Sequence, residues 1–230
     1  MRILFNNLVN NSTMSATTES SFYPLSNLKH PFLKKIYKAT GNDTTVTIEF
    51  AIASAVDCCF IGLTNASSAV LRLYSATDVL LATETLNVST NGNVFTKVSG
   101  VSYCTIGFSA TAPVYVGNIG VGESYTMPDP LAEVIPDFVD NSEESISADG
   151  QLIVNKVEWL KLVESSYFVD NLDDYNYIYA LFRSVDRPIW VAHFENTADT
   201  INPLYSKVKF KAGKKKDKLY EFSVTVQEVR

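Results

Sequence analysis

The stretch Thr44-Thr45-Val46-Thr47-Ile48-Glu49-Phe50 alternates without a break, with Val46, Ile48 and Phe50 on one side and Thr45, Thr47 and Glu49 on the other. A period of two is the geometry of a strand that buries one face and wets the other. Val56 to Leu63 follows as a nearly continuous apolar run, the pattern of a strand covered on both faces. Beyond it, Val70-Leu71-Arg72-Leu73-Tyr74-Ser75 and Val79 to Leu86 read as a hairpin, and Asn91-Gly92-Asn93 reads as a turn. Val101 to Phe108 and Val114 to Ile119 supply further strands. Upstream, Arg2 to Leu8 reads as a short strand, Asn10 to Ser21 as a Ser/Thr/Asn-rich loop, and Phe22 to Leu28 as an extended segment turning after Pro24. About eight short strands separated by turn residues, with no competing helical period, predict a jelly-roll β-sandwich for residues 1–126.

Composition changes at Met127. Met127-Pro128-Asp129-Pro130, Pro136 and the acidic Asp137 to Glu144 make residues 127–150 a Pro/acidic linker or arm. Residues 151–230 read as a small α+β module. Its strands are expected within Gln151 to Val163, at Ile189 to Phe194, at Tyr205 to Phe210 and at Leu219 to Gln227. Leu172, Tyr175, Ile178, Tyr179 and Phe182 recur at helical spacing, so Asn171 to Ser184 is predicted as the one main helix. Asp170 is its expected N-cap, with Asp173 and Asp174 in the first turn. The fold class is therefore mainly β: a jelly-roll sandwich followed by a small α+β module.

The chain has 230 residues of which 46% are hydrophobic, enough for a real core. A net charge of −6 argues against nucleic acid, whose phosphates need a basic face. No apolar run approaches the roughly 18 residues that cross a bilayer, so no membrane insertion is expected. Met1 to Phe5 is followed at once by Asn6, Asn7 and Asn10, which does not resemble a secretory signal, and folding in a cytoplasm is the expectation.

Few residues suggest chemistry. Cys58, Cys59 and Cys104 lack basic neighbours and read as small core residues in a reducing compartment, the adjacent pair pointing to opposite faces. His30 and His193 are the only histidines and form no ligand cluster. His193 reads as a half-buried strand residue and His30 as an exposed loop residue. Gly117, Gly120 and Gly122 read as turn or bulge glycines, since no Gly-Lys-Ser/Thr completes a phosphate loop. Asp170, Asp173 and Asp174 lack the pattern of a calcium loop, and Glu143 and Glu144 read as solvated linker residues. Lys207, Lys209, Lys211, Lys214, Lys215, Lys216 and Lys218 form a basic hairpin, either a solvated turn or a contact for an acidic neighbouring surface. No catalytic, cofactor-binding or metal-binding residue is predicted, and the chain is expected to be non-enzymatic.

Two stretches carry a resemblance. Thr17 to Leu28, with Tyr23-Pro24-Leu25-Ser26-Asn27-Leu28 at its end, followed by Thr45 to Phe50 and Cys59 to Ala66, is similar to the opening of galactose-binding-like (discoidin-type) jelly rolls. Ala112 to Pro128 resembles a segment that ends the jelly roll in virion proteins of tailed bacteriophages. This resemblance implies a structural protein of a phage tail, at a tail tip, distal tail or fibre-adaptor ring. It would assemble in the bacterial host cytoplasm with copies of itself and other tail proteins. The first stretch implies an alternative, a carbohydrate-binding module for host-surface glycans that uses the loop carrying Phe22, Tyr23, His30 and Phe32. Arg72 is the only arginine between Arg2 and Arg183, so no sugar site is assigned residue by residue.

Overall fold

The computed structural model describes residues 1–128, 137–139, 143–146, 152–155, 160–194, 201–216 and 219–228. The fold is mainly β, and its strand pairings among these residues are antiparallel. The N-terminal half forms β1 (Arg2–Leu4), β2 (Thr13–Ala16), β3 (Tyr37–Lys38), β4 (Asp43–Thr64), β5 (Ser68–Tyr74), β6 (Leu80–Leu86), β7 (Gly92–Ser109), β8 (Tyr115–Gly122) and β9 (Tyr125–Thr126). Then come β10 (Asp137–Val139), β11 (Glu143–Ile146), β12 (Leu152–Asn155), β13 (Leu160–Val169), helix α1 (Leu172–Arg183), β14 (Ile189–Phe194), β15 (Ile201–Lys216) and β16 (Leu219–Glu228). The chain divides into two compact units. One comprises Met1–Met127 with Arg187–Tyr205, and the other Pro128–Asp186 with Ser206–Val229. The first unit is thus not one continuous stretch: β14, which the sequence grouped with the C-terminal module, belongs to it.

Strand β4 organises the first unit. The alternation of Thr44 to Phe50 appears as buried Val46 and Ile48, with Phe50 partly buried on the same core. Asp43 to Glu49 pairs with the second half of β7, Cys58 to Phe60 with its first half, and Cys58 to Thr64 also with β8. The β4–β7 register shifts between Glu49 and Ser54, between Ser54 and Val56, and between Val56 and Cys58. These irregularities change which residues of β4 face inward: even-numbered Val46 and Ile48 before them, odd-numbered Cys59 and Ile61 after, all in one core. One long strand can therefore serve two layers. Residues β2, β5 and β6 extend the first layer, and β3 and β8 the second.

The second half of β4 is buried on both faces, as its apolar run predicts. Its outer face is covered by β14, which pairs with β1, itself paired with β9. Trp190 of β14 packs on Phe60 with ring centroids 5.6 Å apart. Here the glycines of β8 find their reason. Gly120 and Gly122 lie inside the strand, not in a turn. A Cβ at Gly120 would stand 2.4 Å from Trp190 Cδ1, and one at Gly122 2.9 Å from Leu4 Cδ1. Trp190 Nε1 donates to Asn118 Oδ1 at 3.1 Å, and Asn118 Nδ2 donates to the carbonyls of Leu28 and His30, both at 3.1 Å. A buried indole N–H needs such a partner. The cysteines behave as the sequence indicated: all three are free and buried, with Cys59 and Cys104 in the main core and Cys58 outside it.

Three local expectations are corrected. The first strand ends at Leu4, and Leu8–Asn11 forms a 3-10 turn whose N-cap, Asn7, accepts from Val9 N at 3.2 Å. The polar loop contains β2, which pairs with β4. Within residues 127–150, expected to be a linker or arm, β10 pairs with β13 and β11, which includes Glu143 and Glu144, pairs with β12.

In the second unit β13, β16 and β15 form a sheet with α1 on one face. Ile178 and Phe182 are the buried helix residues. Tyr175, Tyr179 and Phe182 meet Phe210, and Phe210 stacks on Phe222 at 5.2 Å, so an aromatic cluster joins helix to sheet. The helix is where its periodicity predicts, but the cap is Asn171, whose Oδ1 accepts from Asp173 N at 2.8 Å, not Asp170. Asp173 and Asp174 occupy the first turn as expected.

Candidate functional site

The outward face of the first layer of the sandwich carries a polar groove. Register places its residues in cross-strand rows: Asp43–Ser109–Ser68, Thr45–Gly107–Val70, Thr47–Thr105–Arg72, and Glu49–Tyr103–Tyr74, each running from β4 through β7 to β5. These are the positions opposite the core residues Val46, Ile48, Cys104, Ile106, Phe108, Ala69, Leu71 and Leu73, as alternation requires. Gly107 opens the groove, because a Cβ there would meet nothing nearer than Thr45 Oγ1 at 3.9 Å. The hollow over it measures about 300 Å³ and is lined by Thr17, Asp43, Thr45, Ser68, Val70, Arg72 and Ser109, among others. That is the small end of ligand-binding clefts, which span roughly 300–1,000 Å³.

The groove's chemistry is mixed by design of the register. Asp43 lies at one end, on β4, and Arg72 diagonally across, on β5. Hydroxyls of Thr17, Thr45, Ser68 and Ser109 lie between them, each able to donate and accept. Thr17 Oγ1 also accepts from Thr45 N at 3.0 Å, which fixes the groove's edge to β4. In the last row Tyr74 and Tyr103 stack with centroids 4.7 Å apart and planes 5° from parallel. Tyr103 Oη donates to Asp78 Oδ1 at 3.1 Å. Desolvation, with the Asp78 carboxylate adding, holds the Tyr103 phenol above its usual value.

The aromatic loop singled out by the sequence is also at the surface. Phe22 is 87% exposed, Tyr23 43% and Phe32 56%. His30 is half-buried and not exposed as expected; its ring lies 5.2 Å from that of Phe32, and its Nδ1 accepts from Phe32 N. Desolvation, then Lys35, holds the imidazole below its usual value. This loop supplies apolar rings but no convergent polar set. Of the basic hairpin, Lys207, Lys209 and Lys211 are exposed on one side of β15. The side chains of Lys214, Lys215, Lys216, Lys218 and His193 lie outside the described residues. Among the described residues no three metal-ligating side chains converge.

Sequence reading missed the groove. Its signal was present in the outward Thr45 and Thr47 and in Arg72 between Leu71 and Leu73. Only the pairing of β4 and β5 through β7 brings them together.

No protein-family model and no curated protein sequence matches the chain. Solved structures similar to it include chitosan-binding module 1 of a chitosanase/glucanase from Paenibacillus sp. IK-5, with a TM-score of 0.43, 12% identity, and coverage of 51% of this chain and 99% of that one. A fucose-binding module of Streptococcus pneumoniae gives 0.43 and 12%, covering 54% and 99%. The lectin binding domain of Lectinolysin complexed with Lewis b gives 0.41 and 12%, covering 52% and 97%.

Proposed function

We propose that the first unit is a carbohydrate-binding module that holds a sugar in the groove over Gly107. The observation that carries this reading is the lining: a carboxylate, a guanidinium and five hydroxyl residues around a hollow of about 300 Å³, with a tyrosine pair two cross-strand rows from Gly107. A pyranose presents hydroxyls that both donate and accept, together with apolar C–H faces. Serine and threonine match the first need, Asp43 accepts, Arg72 donates in a fork, and Val70 and the tyrosines offer apolar surface. All of these groups but Thr17 sit on paired strands and all but Arg72 have short side chains, so the hydroxyls and Asp43 lose little rotamer freedom when a ligand binds.

The tail-assembly reading, with its ring of copies, its neighbouring tail proteins and its place in a virion, draws on sequence resemblance alone. Sugar binding has the groove as well and is the leading reading. The two are compatible in a module carried on a phage particle that engages host-surface glycans. The test is a glycan array followed by calorimetry on wild type and Gly107→Val, a substitution that fills the groove where a Cβ has room. Wild-type binding that falls at least tenfold in Gly107→Val, with unfolding little changed, supports the proposal. Silence across a broad array refutes it. Loss in Tyr23→Ala or Phe32→Ala while Gly107→Val still binds would move the site to the N-terminal loop.

A further inference from the structure

Arg72 is exposed, and no carboxylate of a described residue pairs with it; the ion pairs Arg2–Asp57 and Lys97–Glu123 both lie outside the groove. Its cross-strand neighbours are Thr105 on β7 and Thr83 on β6, both neutral hydroxyls. A lone guanidinium set among neutral donors is a spot of positive potential on a chain of net charge −6. Of the acidic residues near this face, Asp43 and Glu49 stand on β4, the far side of β7 from Arg72, and Asp78, in the turn after β5, accepts from Tyr103 Oη. Among the residues that line the hollow the charge is therefore polarised, with Arg72 on the β5 side and Asp43 on the β4 side.

Resting on the sugar-binding reading, we infer that the groove selects an acidic sugar and that Arg72 takes its carboxylate. The planar fork of arginine matches a carboxylate through two parallel N–H···O bonds, and the Thr83 and Thr105 hydroxyls flank that position. Asp43 at the opposite corner accepts from sugar hydroxyls and repels a carboxylate, so it fixes which way round the ligand lies. A neutral sugar gains neither the charge-assisted bonds nor this orientation.

The experiment uses the full chain and a panel of uronic- and sialic-acid oligosaccharides, each paired with its methyl ester, which keeps the shape and removes the charge. Calorimetry on wild type should show the acid binding about tenfold or more tightly than its ester. That margin should shrink as salt rises. In Arg72→Gln the difference between acid and ester should disappear, whatever the variant does to the affinity of both, and Arg72→Lys should keep part of the preference. Equal binding of acid and ester by wild type overturns this inference and leaves sugar binding intact. A preference that survives Arg72→Gln overturns it as well, and so does inorganic sulfate alone binding as tightly as the acidic oligosaccharide. Failure of every acid and every ester to bind overturns the inference, and the proposed function falls with it only where the broad glycan array is silent as well.

Discussion

Replacing Gly120 by alanine tests how β14 is seated on the sandwich. The new methyl would lie 2.4 Å from Trp190 Cδ1, 2.8 Å from Nε1 and 3.1 Å from Leu4 Cδ2. Carbon atoms in contact need about 3.5–4.0 Å, so the indole must retreat by roughly an ångström. It has little room to do so, being 1% exposed and packed between Phe60 at 5.6 Å and Tyr205 at 5.4 Å. Overpacking of this kind costs about 1–3 kcal/mol. The displacement also strains the buried bond from Trp190 Nε1 to Asn118, and loss of such a bond costs about 1–3 kcal/mol more. A total near 3 kcal/mol corresponds to a fall in Tm of roughly 6–12 °C for a chain of this size. Gly107→Ala is the internal control, because its methyl enters open space and replaces a glycine that weakens a strand; its effect should be neutral or stabilising by about 0.5 kcal/mol. Thermal and urea unfolding, followed by circular dichroism and indole emission, would compare the two. Equal midpoints for Gly120→Ala and Gly107→Ala, with unshifted emission, would show that Trp190 does not rest on Gly120 and would refute the argument.

Two further outcomes follow from buried titratable groups. Burial raises the thiols of Cys58, Cys59 and Cys104 well above their usual range, so a thiol reagent at pH 8 should label none of them in the native protein and all three in denaturant. Rapid native labelling of any one would contradict its placement. Burial also pushes the Tyr205 phenol up to about 12, with Arg187 opposing. Its folded value lies above the unfolded value near 10, so the neutral form stabilises the fold fully below pH 10, and this stabilisation is lost as pH rises toward 12. The shift corresponds to on the order of 2–3 kcal/mol. Alkaline unfolding monitored with Tyr205→Phe should show a smaller loss between those pH values, and an unchanged loss would contradict the assignment.

Much of the architecture was legible because it depends on local periodicity. Alternation at Thr44 to Phe50 named the inward residues of β4, the continuous run after Val56 marked its doubly covered half, and the spacing of Tyr175, Ile178 and Phe182 located α1. The cysteines were readable as core residues because nothing around them could stabilise a thiolate. The helix cap was misplaced by one residue, since Asp170 and Asn171 are both good caps and only backbone geometry separates them.

What the sequence determined by itself was most of the core strands, the helix and the alternation or continuous burial of β4, all properties of neighbours along the chain. What only the tertiary structure decided were the pairings of residues far apart in sequence. Gly120 read as a turn residue until Trp190, seventy residues later, occupied the space it leaves. Asp43, Gly107 and Arg72 had no relation until register set them around one groove. Register is fixed by the burial of whole faces against one another, a global balance that no short window of sequence contains.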